Sequence, residues 1–176
     1  MTNAIEVRCL ESIGAPEIDG LSDVLVDCVA GGASVSFMWP MTRIKAENFW
    51  RGVAASVARD ERKVLAAYDA DNTIVGTVQV IWAQPENQPH RADVAKMLVH
   101  RRARGHGVGA ALLAAAERIA LDAGKTLLVL DTVTGSDAYR LYVRQGWQRC
   151  GDIPDYALWP DGRRCPTTVF YKSLSQ

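Results

Sequence analysis

The sequence has little that would mark a nucleic-acid, membrane or metal protein. Its net charge is zero, with 20 Lys and Arg against 20 Asp and Glu. The one dense group of arginines, Arg101, Arg102 and Arg104, is confined to a single turn, so no basic face stands ready for a polyanion. No apolar run approaches the roughly 20 residues that span a bilayer. The opening MTNAIEVRC has neither the basic start nor the apolar centre of a secretory signal, which predicts a cytoplasmic protein. Histidine is scarce, and Cys9, Cys28, Cys150 and Cys165 are far apart with no CxxC pair. That pattern argues against a metal site and for buried free thiols. No repeat, low-complexity tract or linker interrupts the chain, which predicts one domain over residues 1–176.

What is present is an alternation of helical and extended patterns. AIEVRCL (4–10) alternates as an opening strand. Pro16 to Ala30 carries Ile18, Leu21, Leu25, Cys28 and Val29 at helical spacing and ends on Gly31 and Gly32. Thr42 is the expected cap of a second helix that runs through Phe49, Trp50 and Val53 to about Arg59. KVLAAYD (63–69) and TIVGTVQVIWA (73–83) predict a hairpin around Ala70, Asp71 and Asn72. ADVAKMLVH (92–100) predicts a strand in which period two puts Asp93, Ala95, Met97 and Val99 on one face and Val94, Lys96, Leu98 and His100 on the other. Residues 107–123 predict a helix ended by Gly124, LLVLDTV (127–133) a buried strand, SDAYRLYVRQ (136–145) a helix stopped by Gly146, and TTVFYKSL (167–174) a closing strand. The order implies an α+β fold in α/β/α layers: an antiparallel meander, one helical crossover to a parallel strand, then a helix and a tail hairpin.

The crossover turn, HRRARGHGVGA (100–110), asks for a reason of its own. A helix N-terminus leaves backbone N–H groups unpaired and partly positive, and so holds anions where no side chain blocks the approach. Gly105, Gly107 and Gly109, with small Ala110 behind them, clear that approach, while Arg102 and Arg104 add charged forks. The pattern predicts a diphosphate-bearing cofactor; the plainer alternative is that the glycines only make the turn. A Walker loop is absent. A dinucleotide GxGxxG/A can be laid on Gly105, Gly107 and Ala110 with Asp131 about 20 residues on, which keeps a nucleotide-dependent oxidoreductase in view, but too little chain follows for a doubly wound sheet.

At these residues the chain resembles the GCN5-related N-acetyltransferases, the GNAT family. Arg102-Ala103-Arg104-Gly105-His106-Gly107 is similar to the family's Q/R-x-x-G-x-G/A motif, and Ala138, Tyr142, Gly146 and Trp147 match its later A-x-x-x-Y-x-x-x-G-aromatic signature. Gly135 stands where asparagine is common in the family. GGASVSFM (31–38), RADVAKMLV (91–99), LLVLDT (127–132) and the tail from residue 151 to 174 resemble the tabtoxin-resistance branch. The resemblance implies a GNAT acyl-CoA N-acyltransferase fold with a splay between two parallel strands. It also implies acetyl-CoA in that splay, its pantetheine along Met97, Leu98 and Val99 and its pyrophosphate over Arg102, Arg104, Gly105, His106, Gly107, Val108, Gly109 and Ala110.

Acetyl transfer from a thioester to an amine needs a proton acceptor for the ammonium, a polarised carbonyl and a proton donor for the leaving thiolate. Tyr142, one helical turn beyond Ala138, suits the last role, the strand N–H that follows Lys96 the second, and Asp93 and Asp131 the first. Plainer alternatives exist for each: Tyr142 as a packing residue, Asp131 as a turn cap, Asp93 as a surface partner of Arg91 or Lys96. Ser34, Phe37 and Trp39, in the loop from Gly31 to Met41, are candidates for the acceptor site. His90 and His100 read as solvated loop residues, outside the chemistry. The reading is thus an acetyl-CoA-dependent N-acetyltransferase of a small amine, a monomer or homodimer, with a non-catalytic acyl-CoA-binding module as the alternative.

Overall fold

A computed structural model describes residues 5–175. The chain runs β1 (Glu6–Cys9), α1 (Ala15–Ala30), α2 (Arg43–Ala58), β2 (Arg62–Tyr68), β3 (Ile74–Ile81), β4 (Arg91–Val99), α3 (Val108–Asp122), β5 (Leu127–Val133), α4 (Asp137–Arg144), β6 (Gln148–Leu158) and β7 (Arg164–Ser173), with a 3₁₀ turn at Arg101–Ala103 before α3. The expected opening strand is shorter than its pattern, and its first residue, Ala4, lies outside the described residues. Helix starts follow local chemistry. Glu17 Oε2 accepts the Gly14 N–H (2.9 Å) at α1, Thr42 Oγ1 accepts the Lys45 N–H (3.2 Å) at α2, and Ser136 Oγ accepts the Tyr139 N–H (3.1 Å) at α4. Gly107 opens α3 in the left-handed conformation and offers no side-chain cap.

The seven strands form one sheet in the order β1-β2-β3-β4-β5-β7-β6. All pairs are antiparallel except β4 with β5. This is the expected meander, parallel crossover and tail hairpin, and it removes the doubly wound alternative. Packing fixes the layers. Leu112, Leu113 and Ala116 of α3 join Tyr142 of α4 and Phe170 of β7 in one core, while Leu21, Leu25, Trp50 and Val53 of α1 and α2 fill the other. Each fully buried Leu contributes about 1.5–3 kcal/mol.

Two departures shape the molecule. The first is a bulge in β4, where Lys96 and Met97 stand opposite the single Val78 of β3, and Lys96 takes φ = 52°. The extra residue reverses the side-chain alternation. Val94 enters the core under α3 and Leu98 the core under α1 and α2, although strict period two would put them on one face. The second is the short reach of the parallel pairing: Arg91, Ala92 and Asp93 pair with Leu127, Leu128 and Val129, and the strands then part. Past that point β4 stays on β3 and β5 stays on β7, which opens a wedge in mid-sheet.

Burial corrects the reading of the thiols. All four cysteines are free, and Cys28 and Cys165 are buried, but Cys9 is half-buried and Cys150 is exposed. Cys150 lies on β6, whose single neighbour is β7, so one long side of the strand meets solvent. His100 is also less solvated than expected: its side chain is 18% exposed, with Asp23 and Asp27 each 3.6 Å away. Among the described residues no helix is long and apolar enough to cross a membrane, and no cluster of His, Cys, Asp or Glu has metal-binding geometry.

Candidate active site

Two cavities meet in the wedge. The larger, about 830 Å³, runs from the start of α3 to α4 and the Gly31–Val35 loop. The smaller, about 500 Å³, lies between the bulge of β4, β5, the Ser34–Met38 loop and β6. Ser34, Val35, Met97, Thr132, Val133 and Ala138 line both, so the two spaces are continuous at the splay.

The larger cavity has the features of a diphosphate cleft. Ala111 N–H donates to Gly107 O (3.0 Å), and among the described residues the N–H groups of Gly105 to Ala110 have no backbone acceptor. They form a row of open donors at the positive end of a 15-residue helix. Gly105 and Gly107 both take φ = 79°, and a Cβ on either would meet only open space. These two glycines answer to backbone conformation, as the plainer alternative held, and Gly109 answers to a close approach by Leu141. Arg104 lines the cleft and is steadied by its Nε bond to Val99 O (3.1 Å). Arg102 and His106 do not line it: Arg102 turns to Asp69 (3.5 Å), and His106 Nδ1 bonds Arg104 O (2.9 Å).

The remaining expected contacts divide in the same way. Met97, Leu98, Val99, Val108, Gly109 and Ala110 all line the larger cavity. Ser34 borders both cavities and Phe37 the smaller one, whereas Trp39 borders neither. The Trp39 indole donates to Val29 O (2.8 Å), which anchors the loop instead.

Of the three residues considered for proton transfer, the smaller cavity brings two together. Tyr142 is 4% exposed, its ring packed near Trp147 (5.7 Å) and Phe170 (5.9 Å), and it also lines the smaller cavity. Burial, then the charge of Asp131, pushes its phenol above the ordinary value and keeps the proton in place. Asp131 lies on β5 beyond the last parallel pair, is exposed, and lines the cavity. Partial burial raises its carboxyl, Lys96 opposes that, and Asp93 adds to it. Asp93 sits outside the cavity lining, its carboxylate shared between Arg91 and Gln84 Nε2 (3.0 Å).

Sequence reasoning missed Lys96, Ser36, Thr132, Tyr156 and Thr167, all on the wall of the smaller cavity. Lys96 is placed by the bulge and Tyr156 by the unframed strand β6, neither of which leaves a local signal.

Comparison with known proteins fixes the family. Residues 27–147 match the acetyltransferase (GNAT) family model. The chain belongs to that family. A relative from Azospirillum brasilense, described as an uncharacterized N-acetyltransferase of the hisH-hisA intergenic region, is 27% identical over 129 residues, 72% of this chain and 74% of its own. Two crystal structures extend the likeness of fold over nearly the whole molecule. A ribosomal-protein-alanine N-acetyltransferase from Brucella melitensis superposes with a TM-score of 0.77 at 23% identity, covering 96% of this chain and 99% of that one. A phosphinothricin acetyltransferase from Sinorhizobium meliloti, in complex with acetyl-CoA, gives 0.78 at 15%, covering 99% and 90%.

As a GNAT protein the chain is an N-acetyltransferase with acetyl-CoA as co-substrate. The cleft suits that donor on its own features. Open N–H groups and Arg104 fit a pyrophosphate, and among the described residues β4 beyond Asp93 has no strand partner on its β5 side.

Proposed function

We propose that this chain acetylates the amino group of a small molecule by direct attack in a ternary complex, with Asp131 as proton acceptor and Tyr142 as proton donor. One observation carries the reading: Asp131 and Tyr142 share a cavity that joins the glycine-turn cleft at Met97, Thr132 and Ala138. Bound acetyl-CoA supplies an activated acetyl thioester at that junction. Asp131 takes the proton of the incoming ammonium, directly or through water, and its raised pKa makes it a stronger base than an ordinary carboxylate. Tyr142 holds a proton at its hydroxyl for the departing sulfur. Asp93, tied to Arg91 and Gln84, acts on Asp131 through its charge. A tabtoxin-like β-lactam amino acid is the first acceptor to try, supported by the resemblance of residues 31–38, 91–99, 127–132 and 151–174.

Cys28 supports direct attack. It is the cysteine that lines the cleft, and burial raises its thiol pKa, so it is a poor nucleophile for a covalent acetyl intermediate. The test is thiol release from acetyl-CoA against a panel of amino acids, antibiotics and polyamines. Turnover of at least one small amine is expected. Folded protein that binds acetyl-CoA and turns over none of them would overturn the proposal.

A further inference from the structure

Among the described residues, two charged side chains line the smaller cavity, Lys96 and Asp131. They stand on opposite walls of the wedge, Lys96 in the bulge of β4 and Asp131 on β5 past the point where the strands separate. Burial lowers the pKa of the Lys96 ammonium and the charge of Asp131 opposes that fall, while burial raises Asp131 and Lys96 opposes that rise, yet among the described residues no ion pair closes between them. Strand alternation would send Lys96 to the side of Val94; its left-handed φ of 52° turns it instead to the loop between α1 and α2. There its Nζ donates to Ser36 Oγ (3.0 Å) and lies 6.0 Å from the ring centre of Phe49. An ammonium has three donors, and among the described residues Ser36 alone accepts from it, so donors remain for a ligand.

We propose that Lys96 is the specificity-determining residue of the acceptor site: its Nζ receives the carboxylate of an acceptor whose amine lies at Asp131, so the cavity selects zwitterionic amino acids. This rests on the acetyltransferase reading above and narrows its substrate class. Two fixed, opposite charges that do not neutralise one another match a molecule bearing both charges in reverse. A polyamine would bring a second cation toward Lys96 in a partly desolvated space, and an alkylamine would leave the ammonium without its anion. In the reaction the amine nitrogen forms the C–N bond as the C–S bond breaks. The ammonium gives one proton to Asp131 or water, the thiolate takes a proton from Tyr142, which regains one from the acylated nitrogen, and the acceptor's carboxylate stays intact at Lys96.

The test compares kcat/KM for L-leucine, L-phenylalanine and L-lysine with isoamylamine, phenethylamine and cadaverine, the same molecules without their carboxyl groups. For wild type we expect at least one acid to exceed its amine by about 10- to 100-fold, the usual worth of a hydrogen bond between charged groups. Lys96→Asn removes the charge with a residue that tolerates positive φ, and should collapse that ratio chiefly through KM. Lys96→Arg should restore part of it. Wild-type turnover of amines as well as acids would refute the selection while leaving the acetyltransferase reading standing. Equal loss of acids and amines in Lys96→Asn would reduce Lys96 to a structural role. No turnover of any amine by wild type would instead remove the reading on which the selection rests.

Discussion

Gly109 of α3 lies against Leu141 of α4 so closely that a Cβ on it would stand 3.0 Å from Leu141 Cδ2. Both residues line the cleft, and α4 also carries Tyr142, so this contact sets the wall between the glycine turn and α4. Gly109→Val should force α4 outward at a cost of about 1–3 kcal/mol and weaken acetyl-CoA binding with it. Gly105→Ala meets open space but must hold φ = 79°, which costs about 1–2 kcal/mol without crowding the cleft. Thermal melts and acetyl-CoA titrations of the two variants should show both less stable, with the larger loss of affinity in Gly109→Val.

Arg104 and Arg102 are separated by one residue and face different partners, the cleft and Asp69. Arg104→Ala should weaken acetyl-CoA binding about 10- to 100-fold, as expected for loss of hydrogen bonds from a charged donor, and should reduce its salt dependence. Arg102→Ala should have the smaller effect. Calorimetric titration at two ionic strengths distinguishes them, and equal losses would contradict the assignment.

The raised carboxyl of Asp131 sets the direction of the pH dependence. If Asp131 is the base it must be ionised, so kcat/KM should rise with pH through a midpoint above the ordinary aspartate value, and Asp131→Asn should abolish that limb. Asp93→Asn removes a neighbouring negative charge and should move the midpoint down; Lys96→Asn removes a positive one and should move it up. Stability follows the opposite sense. A carboxyl whose folded pKa is raised is fully tolerated in its protonated form below its unfolded value of about 3.9, and costs stability as pH rises through the folded value. Asp131→Asn should therefore melt above wild type at neutral pH, with the gap closing at acid pH.

Tyr142→Phe keeps the ring between Trp147 and Phe170 and removes only the hydroxyl. The expected result is a fall in kcat of about 10²- to 10⁴-fold with acetyl-CoA affinity nearly unchanged. A variant as active as wild type would leave Tyr142 as packing alone.

The elements were legible where local chemistry marks them. Thr42, Ser136 and the residues around Gly31 end or begin helices as their types suggest, and β5 occupies the run LLVLDTV. The strand β6 left no frame: nine of its eleven residues are exposed, Pro154 and the positive φ of Asp155 interrupt it, and it has no buried face to impose period two. The bulge at Lys96 was invisible for another reason. A lysine in the left-handed region carries none of the glycine or asparagine signal that marks such positions, so the faces of β4 beyond it were read inverted. In the site, the glycine turn, Asp131 and Tyr142 could be found because each belongs to a local pattern. Lys96, Thr132 and Tyr156 meet only because β4 and β5 part and β6 folds back, which no spacing records.

In the proposed reaction the acetyl group and the amine meet in one continuous space, with no covalent stop on the protein. Initial rates of thiol release, measured while acetyl-CoA and an accepted amine are varied together, test this most directly when combined with the intact mass of the protein incubated with acetyl-CoA alone. Intersecting reciprocal plots and an unchanged mass are the predicted result. Parallel plots, with a 42 Da gain (about one acetyl group in place of a hydrogen) on Cys28 or another side chain, would contradict it.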